Sequence, residues 1–399
     1  MRPRSNALSS NRMDVQRIQE ALRREKLDGW LFFDHHHRDP LAYRILGLNP
    51  ALHVTRRWYY LIPAKGDPRG LVHRIERGVL DALSGNKARY STWQEQQTGL
   101  EALLSGTKRI AMQYSPRCAV PYVAMVDAGT VEAIRATGVD VVTSAELIQE
   151  FEALLTASQF ESHLEAGRIV DRICAGAFRF IGDRISSVVS EIEVQEWLLG
   201  EFRNAGLITD SGPIVGVNAH SGDPHYEPTR ETSLAIHQGD FVLLDMWAKF
   251  DRPEAVYYDI TWTGFCGEAP ERVKEVFGIV RDARDRAVKT VAAAVAASRE
   301  LRGFEVDDAA RGHIQAHGFG DFFVHRTGHS IGTEVHGTGA NMDNFETHDD
   351  RRILPGSLFS VEPGIYLPDF GVRSEVNVFV KHNSAGTTGA VQRELVRIG

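Results

Sequence analysis

Cysteine is nearly absent from this sequence: Cys118, Cys174 and Cys266 are the only three among 399 residues. Their odd number and wide spacing exclude a disulfide framework and a cysteine-ligated zinc cluster, and they fit a reducing compartment. No run of about 18 apolar residues occurs, and the basic N-terminus is followed by no apolar stretch, so neither a spanning helix nor a secretion signal is expected. A basic surplus is missing too, and a net charge of −8 supplies no electrostatic footprint for nucleic acid. These absences predict a soluble cytoplasmic protein that engages neither nucleic acid nor membrane.

What is present has ordinary globular proportions, with 43% hydrophobic and 25% charged residues, which removes disorder and fibrous classes. At roughly 150 residues per domain, the length predicts two or three domains. In "MDVQRIQEALRREK" Val15, Ile18 and Leu22 share a helical face. The runs "LDGWLFFD", "RRWYYLIPA", "GLVHRI", "RIAMQYS" and "VDVVTS" read as strands, with a helix over "PYVAMVDAGTVEAIRATG". Residues 1–155 are therefore an α/β domain. A second domain, residues 156–399, is predicted to open on a capping box, Ser158 and Glu161, ahead of Leu164, Ile169 and Ile173. No Pro-, Gly- or Ser-rich linker separates the two.

The second region carries carboxylates where strands should be apolar. Asp245 interrupts "FVLLDMW", and Asp259 repeats the anomaly in "VYYDITWTGF" beyond a turn at residues 251–254. An ionised carboxylate buried there is costly unless it is paired or binds a metal; an aspartate serving a strand-end turn is the competing reading. Glu362 ends an apolar run before Pro363–Gly364. In "VRSEVNVFV" the alternation puts Arg373, Glu375, Asn377 and Phe379 on one face, where a simple Arg373–Glu375 salt bridge is the alternative. Four converging carboxylates with His329 as the imidazole would repel one another unless cations intervene, and two divalent ions would balance four charges. Such an oxygen-rich donor set suits Mn, Co, Fe or Zn.

Taken in order, these motifs and "HRTGHSIGTEVHG" (325–337) resemble the dinuclear metallopeptidases of the pita-bread fold, the family of prolidases, aminopeptidases P and methionine aminopeptidases. The resemblance implies an α/β, creatinase-like N-terminal domain followed by an α+β pita-bread catalytic domain. It implies Asp245, Asp259, His329, Glu362 and Glu375 as ligands of two divalent ions (Mn, Co or Zn), with Asp259 and Glu375 bridging them. His225, His325 and His336 would serve the substrate and oxyanion, Glu362 would move the proton, and Arg373 would orient Glu375 or touch substrate. An N-terminal domain of this length points to the proline-directed branch: hydrolysis of Xaa-Pro dipeptides, or alternatively of longer peptides as an aminopeptidase P. The resemblance also implies a homodimer.

Some features depart from that pattern or stand beside it. The Asp245–Asp259 spacing is a few residues longer than usual, Trp262 replaces an arginine, and Val376 replaces the carboxylate that follows the R-x-E glutamate. A metal-free creatinase-like or peptide-binding relative would lose ligand residues, whereas all five positions here keep them. Arg38 in "DHHHRDP" is a candidate base for a substrate carboxylate; the three histidines before it read as a turn. Gly328 and Gly332 are expected to let backbone approach the site closely.

Overall fold

The computed structural model describes residues 13–399, which divide into two units between Glu152 and Ala153. No helix among the described residues is long and apolar enough to cross a membrane. All three cysteines are free.

In the first unit, the strands Gly29–Asp34 and Trp58–Pro63 are buried at every position because helices cover both faces of the sheet. Two separate apolar clusters result: Trp30, Phe32, Tyr60 and Ile62 pack to one side, and Leu31, Phe33, Tyr59 and Leu61 to the other. Six strands form the sheet. Its edge strand, Asn86–Tyr90, is absent from the sequence reading because its residues are mostly exposed and include Lys87 and Arg89, charges of the kind that protect sheet edges. The helix predicted over 121–138 is shorter. Pro121–Val123 makes only a 3₁₀ turn, and the α-helix Ala128–Arg135 starts where Asp127 caps Thr130 N–H. The "DHHHRDP" turn is as expected: buried Asp34 accepts the N–H groups of His37, Arg38 and Asp39 and the Tyr43 hydroxyl.

In the second unit, the helix Ala157–Gly182 is capped by Thr156 and Gln159 rather than by Ser158 and Glu161. Both pairs satisfy the capping pattern. The earlier one prevails because Leu155 N–H is still bonded to Gly356 O, so Thr156 is the first residue free to cap.

The strand Phe241–Phe250 pairs antiparallel with Tyr258–Cys266 on one side and Ile214–Val217 on the other. Strand alternation divides its side chains. Val242, Leu244, Met246 and Ala248 pack under the helices Ala157–Gly182 and Glu191–Asn204, while Phe241 and Leu243 join the core beneath Glu271–Ala296 and Gly303–Ala316. Asp245 shares the second face. Trp262 lies on the first, against the helices, turned away from the carboxylates.

The expected continuous strand over 372–380 is broken. Gly371–Arg373 pairs with Gly364–Tyr366, whereas Val376–Val380 pairs with Leu358–Val361. Ser374 and Glu375 span the break, where Glu375 N–H reaches Thr261 O across to the hairpin.

Candidate metal centre

The hairpin register sets the first two carboxylates. Asp245 lies opposite Thr261 and Asp259 opposite Trp247, so the two aspartates are diagonal neighbours on one face. Asn377 clamps the late strand to this face: its Nδ2 donates to Asp259 O at 2.6 Å and its Oδ1 accepts from Asp259 N at 3.2 Å. Thr261 then links the remaining groups. Its hydroxyl accepts from Arg373 Nε at 3.1 Å and donates to Glu375 Oε2 at 2.9 Å. The reading from strand alternation, that Arg373 and Glu375 share a face, survives the strand break because both converge on this threonine.

His329 is delivered from the opposite side. Ser360 Oγ accepts its backbone N–H at 2.9 Å and donates to Glu362 Oε1 at 3.0 Å. Gly328 permits this approach, since a Cβ there would stand 2.0 Å from Ser360 O. The close contact is with backbone rather than with the centre, and Gly332 faces open space, so only one of the two glycines is sterically required. The preceding segment is fixed by Asp307, which accepts Thr327 N–H and hydroxyl and pairs with Arg311. Arg311 in turn donates to His325 O.

The result is a buried triad, Asp259, His329 and Glu375, whose ligand atoms lie within 4.8 Å of one another. The acceptor chemistry calls for a cation. His329 Nδ1 lies 3.2 Å from Ser330 O, which can only accept, so Nδ1 carries the proton and Nε2 presents a lone pair. That lone pair faces Glu362 Oε1 at 3.3 Å and Asp259 Oδ2 at 3.5 Å. Glu375 Oε1 is buried and has no hydrogen-bond partner.

Electrostatics agree. Burial, then Asp245 and Glu362, pushes the Asp259 carboxyl well above its ordinary range; burial, then Asp259 and Glu362, does the same to Glu375. Asp245 is also raised, by burial first, against the pull of Arg373. Glu362 differs: burial works against its charge, but His329, His325 and Arg373 hold its carboxyl below the ordinary value. One guanidinium among four carboxylates leaves the site short of positive charge, and the donor set fits divalent ions.

Arg373 is woven into the cluster. It contacts Asp245 Oδ2 at 2.5 Å and Tyr366 Oη at 2.8 Å, besides Thr261. Tyr366 Oη lies 2.7 Å from His325 Nε2, and His325 Nδ1 lies 2.6 Å from Arg326 O. Burial lowers the His325 pKa to about 4, so the ring is neutral, with Nδ1–H donating to the carbonyl and Nε2 accepting from tyrosine. Both nitrogens thus have protein partners. His336 stands edge-on to His329 with centroids 4.4 Å apart and one side exposed. His225 is on an exposed loop tied in by its backbone: Arg373 Nη1 lies 3.4 Å from Pro224 O. Arg38 belongs to the first unit, where its backbone N–H is held by Asp34. Thr261, Ser360 and Tyr366 were not singled out from sequence. A threonine two positions after Asp259 on the same strand face was the one available signal.

The profile of metallopeptidase family M24 matches residues 161–382. Among curated proteins, the chain is 30% identical over 259 residues to an uncharacterized peptidase, YqhT, of Bacillus subtilis, covering 64% of this chain and 68% of that protein. It is 28% identical over 254 residues to an Xaa-Pro dipeptidase of Pyrococcus furiosus (63% and 67%). Among solved structures, dipeptidase PepE from Mycobacterium ulcerans superposes with a TM-score of 0.71 at 23% identity, covering 96% of both chains. A prolidase from Thermococcus sibiricus gives 0.63 at 23%, covering 96% and 98%.

Proposed function

The chain belongs to metallopeptidase family M24, and from that premise we propose that it hydrolyses the bond between an N-terminal residue and proline, with Xaa-Pro dipeptides as substrates. The observation that carries this reading is the buried Asp259–His329–Glu375 triad, with Asp245 and Glu362 beside it.

In this reading Asp245, Asp259, His329, Glu362 and Glu375 hold two divalent ions of the Mn, Co or Zn class. Such ions supply Lewis acidity, polarising a carbonyl and making water acidic near neutral pH. Glu362 is the group that takes the proton of the attacking water, because the Arg373 guanidinium and the Ser360 hydroxyl favour its ionised form while both imidazoles are neutral. The same oxygen then returns the proton to the prolyl nitrogen as the C–N bond breaks, so that one water is consumed and two free amino acids leave. His336, whose neutral form is favoured by burial and by His329 and Arg326, donates an N–H to the tetrahedral oxyanion. Loss of such a donor lowers the rate about 10²–10³-fold. His325 and Tyr366 hold Arg373, which keeps Asp245 oriented. His225 meets the substrate from its rim loop. An Xaa-Pro bond suits a site of this kind because it has no N–H for an ordinary peptidase to grip.

The test is hydrolysis of Ala-Pro and Leu-Pro against Xaa-Pro-Xaa tripeptides by metal-reconstituted protein. Dipeptide cleavage supports the proposal. Cleavage of tripeptides alone reassigns the activity to an aminopeptidase P, and cleavage of neither refutes it.

A further inference from the structure

Trp247 lies two residues past Asp245 and directly across the hairpin from Asp259. Side chains at opposed positions stand about 4.5–5.5 Å apart at Cβ, so the indole is the wall next to the carboxylate cluster. The indole is only partly buried, at the margin of two apolar clusters. Its single polar group is committed: Nε1–H donates to Asp210 Oδ1 at 2.6 Å. Asp210 is exposed, and among the described residues no Lys or Arg pairs with it. Because the indole that holds it stands opposite Asp259, the carboxylate is one side chain away from the centre. The nearest strand cation, Lys249, is turned elsewhere: its Nζ donates to Thr333 O at 2.6 Å and sits 4.9 Å over the Tyr257 ring. The wall therefore ends in an oriented carboxylate without a cationic partner.

Resting on the proposed function, we infer that Asp210 and Trp247 form the subsite for the side chain of the substrate's first residue, and that they select lysine or arginine there. The first residue's carbonyl is the group attacked, and its side chain branches one carbon away, so the side chain must run along a wall beside the ligands. A lysine or arginine stem lies on the indole face and its head reaches Asp210. The aromatic surface attracts the cation, and the carboxylate adds a charge-assisted hydrogen bond.

For a partly exposed pair the expected preference is about fivefold. In the wild type, kcat/KM for Lys-Pro exceeds that for Leu-Pro by this factor, chiefly through KM. Asp210→Asn brings the ratio to about one, and Asp210→Lys shifts preference toward Glu-Pro. A ratio that is the same in wild type and Asp210→Asn overturns the inference. If neither dipeptide is cleaved, the proposed function falls, and calorimetric binding of lysinamide and leucinamide to the metal-loaded protein decides the subsite by itself. Tighter lysinamide binding that disappears in Asp210→Asn upholds it; equal affinities overturn it.

Discussion

Arg373 Nη2 stands 2.5 Å from Asp245 Oδ2, a contact buried among three further carboxylates. A buried ion pair adds little net stability over apolar replacements, but removing one partner strands the other's charge, at a cost of about 3–5 kcal/mol. The same guanidinium reaches Thr261 and Tyr366, so it also fixes the neighbours of Glu375 and His325.

Arg373→Leu is therefore expected to destabilise the metal-free protein by about 3–5 kcal/mol, and Asp245→Asn in that background to recover part of the loss. Urea unfolding of the two single variants and the double variant measures the coupling. Simple additivity would show that the two groups do not depend on each other.

Glu375→Gln separates stability from activity. Glu375 Oε1 lacks a partner, and burial together with Asp259 and Glu362 opposes its charge, so an amide of the same shape relieves repulsion. The metal-free variant should melt higher, by about 1 kcal/mol in stability, while metal content and hydrolysis are lost. In the wild type, metal addition should release protons, since carboxyls with raised pKa must ionise to bind; a pH indicator in weak buffer reads this. Normal turnover in Glu375→Gln would contradict the proposed ligand set.

Gly328 and Gly332 form a paired test. Alanine at 328 meets Ser360 O at 2.0 Å and should cost at least about 2 kcal/mol while displacing His329. Alanine at 332 meets nothing within 4 Å and should change stability by less than about 0.5 kcal/mol. Equal thermal shifts in the two variants would disprove the assigned role of Gly328.

His163 should make the protein acid-sensitive. The ring is fully buried between Tyr257 O at 2.6 Å and Thr388 Oγ1 at 2.7 Å, and burial lowers its pKa to about 4. Its unfolded value is about 6.5, so the unfolded chain takes up the proton first. The stabilisation is complete above pH 6.5 and is lost as pH falls toward 4, to the extent of about 3 kcal/mol. Urea midpoints at pH 7 and 4.5 should converge in His163→Gln; an unchanged gap would assign the acid sensitivity to other groups.

By itself, the sequence determined which residue types could meet and on which strands. Asp245 and Asp259 were legible because a charge inside an apolar run breaks the local pattern, and Glu362 because Pro363 and Gly364 end its strand there. Long helical patterns around 271–301 and 305–317 were legible as well, and the helices formed are Glu271–Ala296 and Gly303–Ala316. These are short-range signals, carried by side-chain alternation and propensity within a few residues. Tertiary structure alone decided that Thr156 rather than Ser158 caps its helix, because the choice hangs on Leu155 bonding to Gly356, some two hundred positions away. It decided likewise that residues 372–380 form two strands in two pairings, and that Thr261 stands between Arg373 and Glu375. The same holds for His325, whose nitrogens are taken by Arg326 and Tyr366, and for Asp210, which accepts the Trp247 indole N–H. Each depends on hydrogen-bond geometry between distant segments, fixed only when the segments pack and every buried donor and acceptor must find its partner.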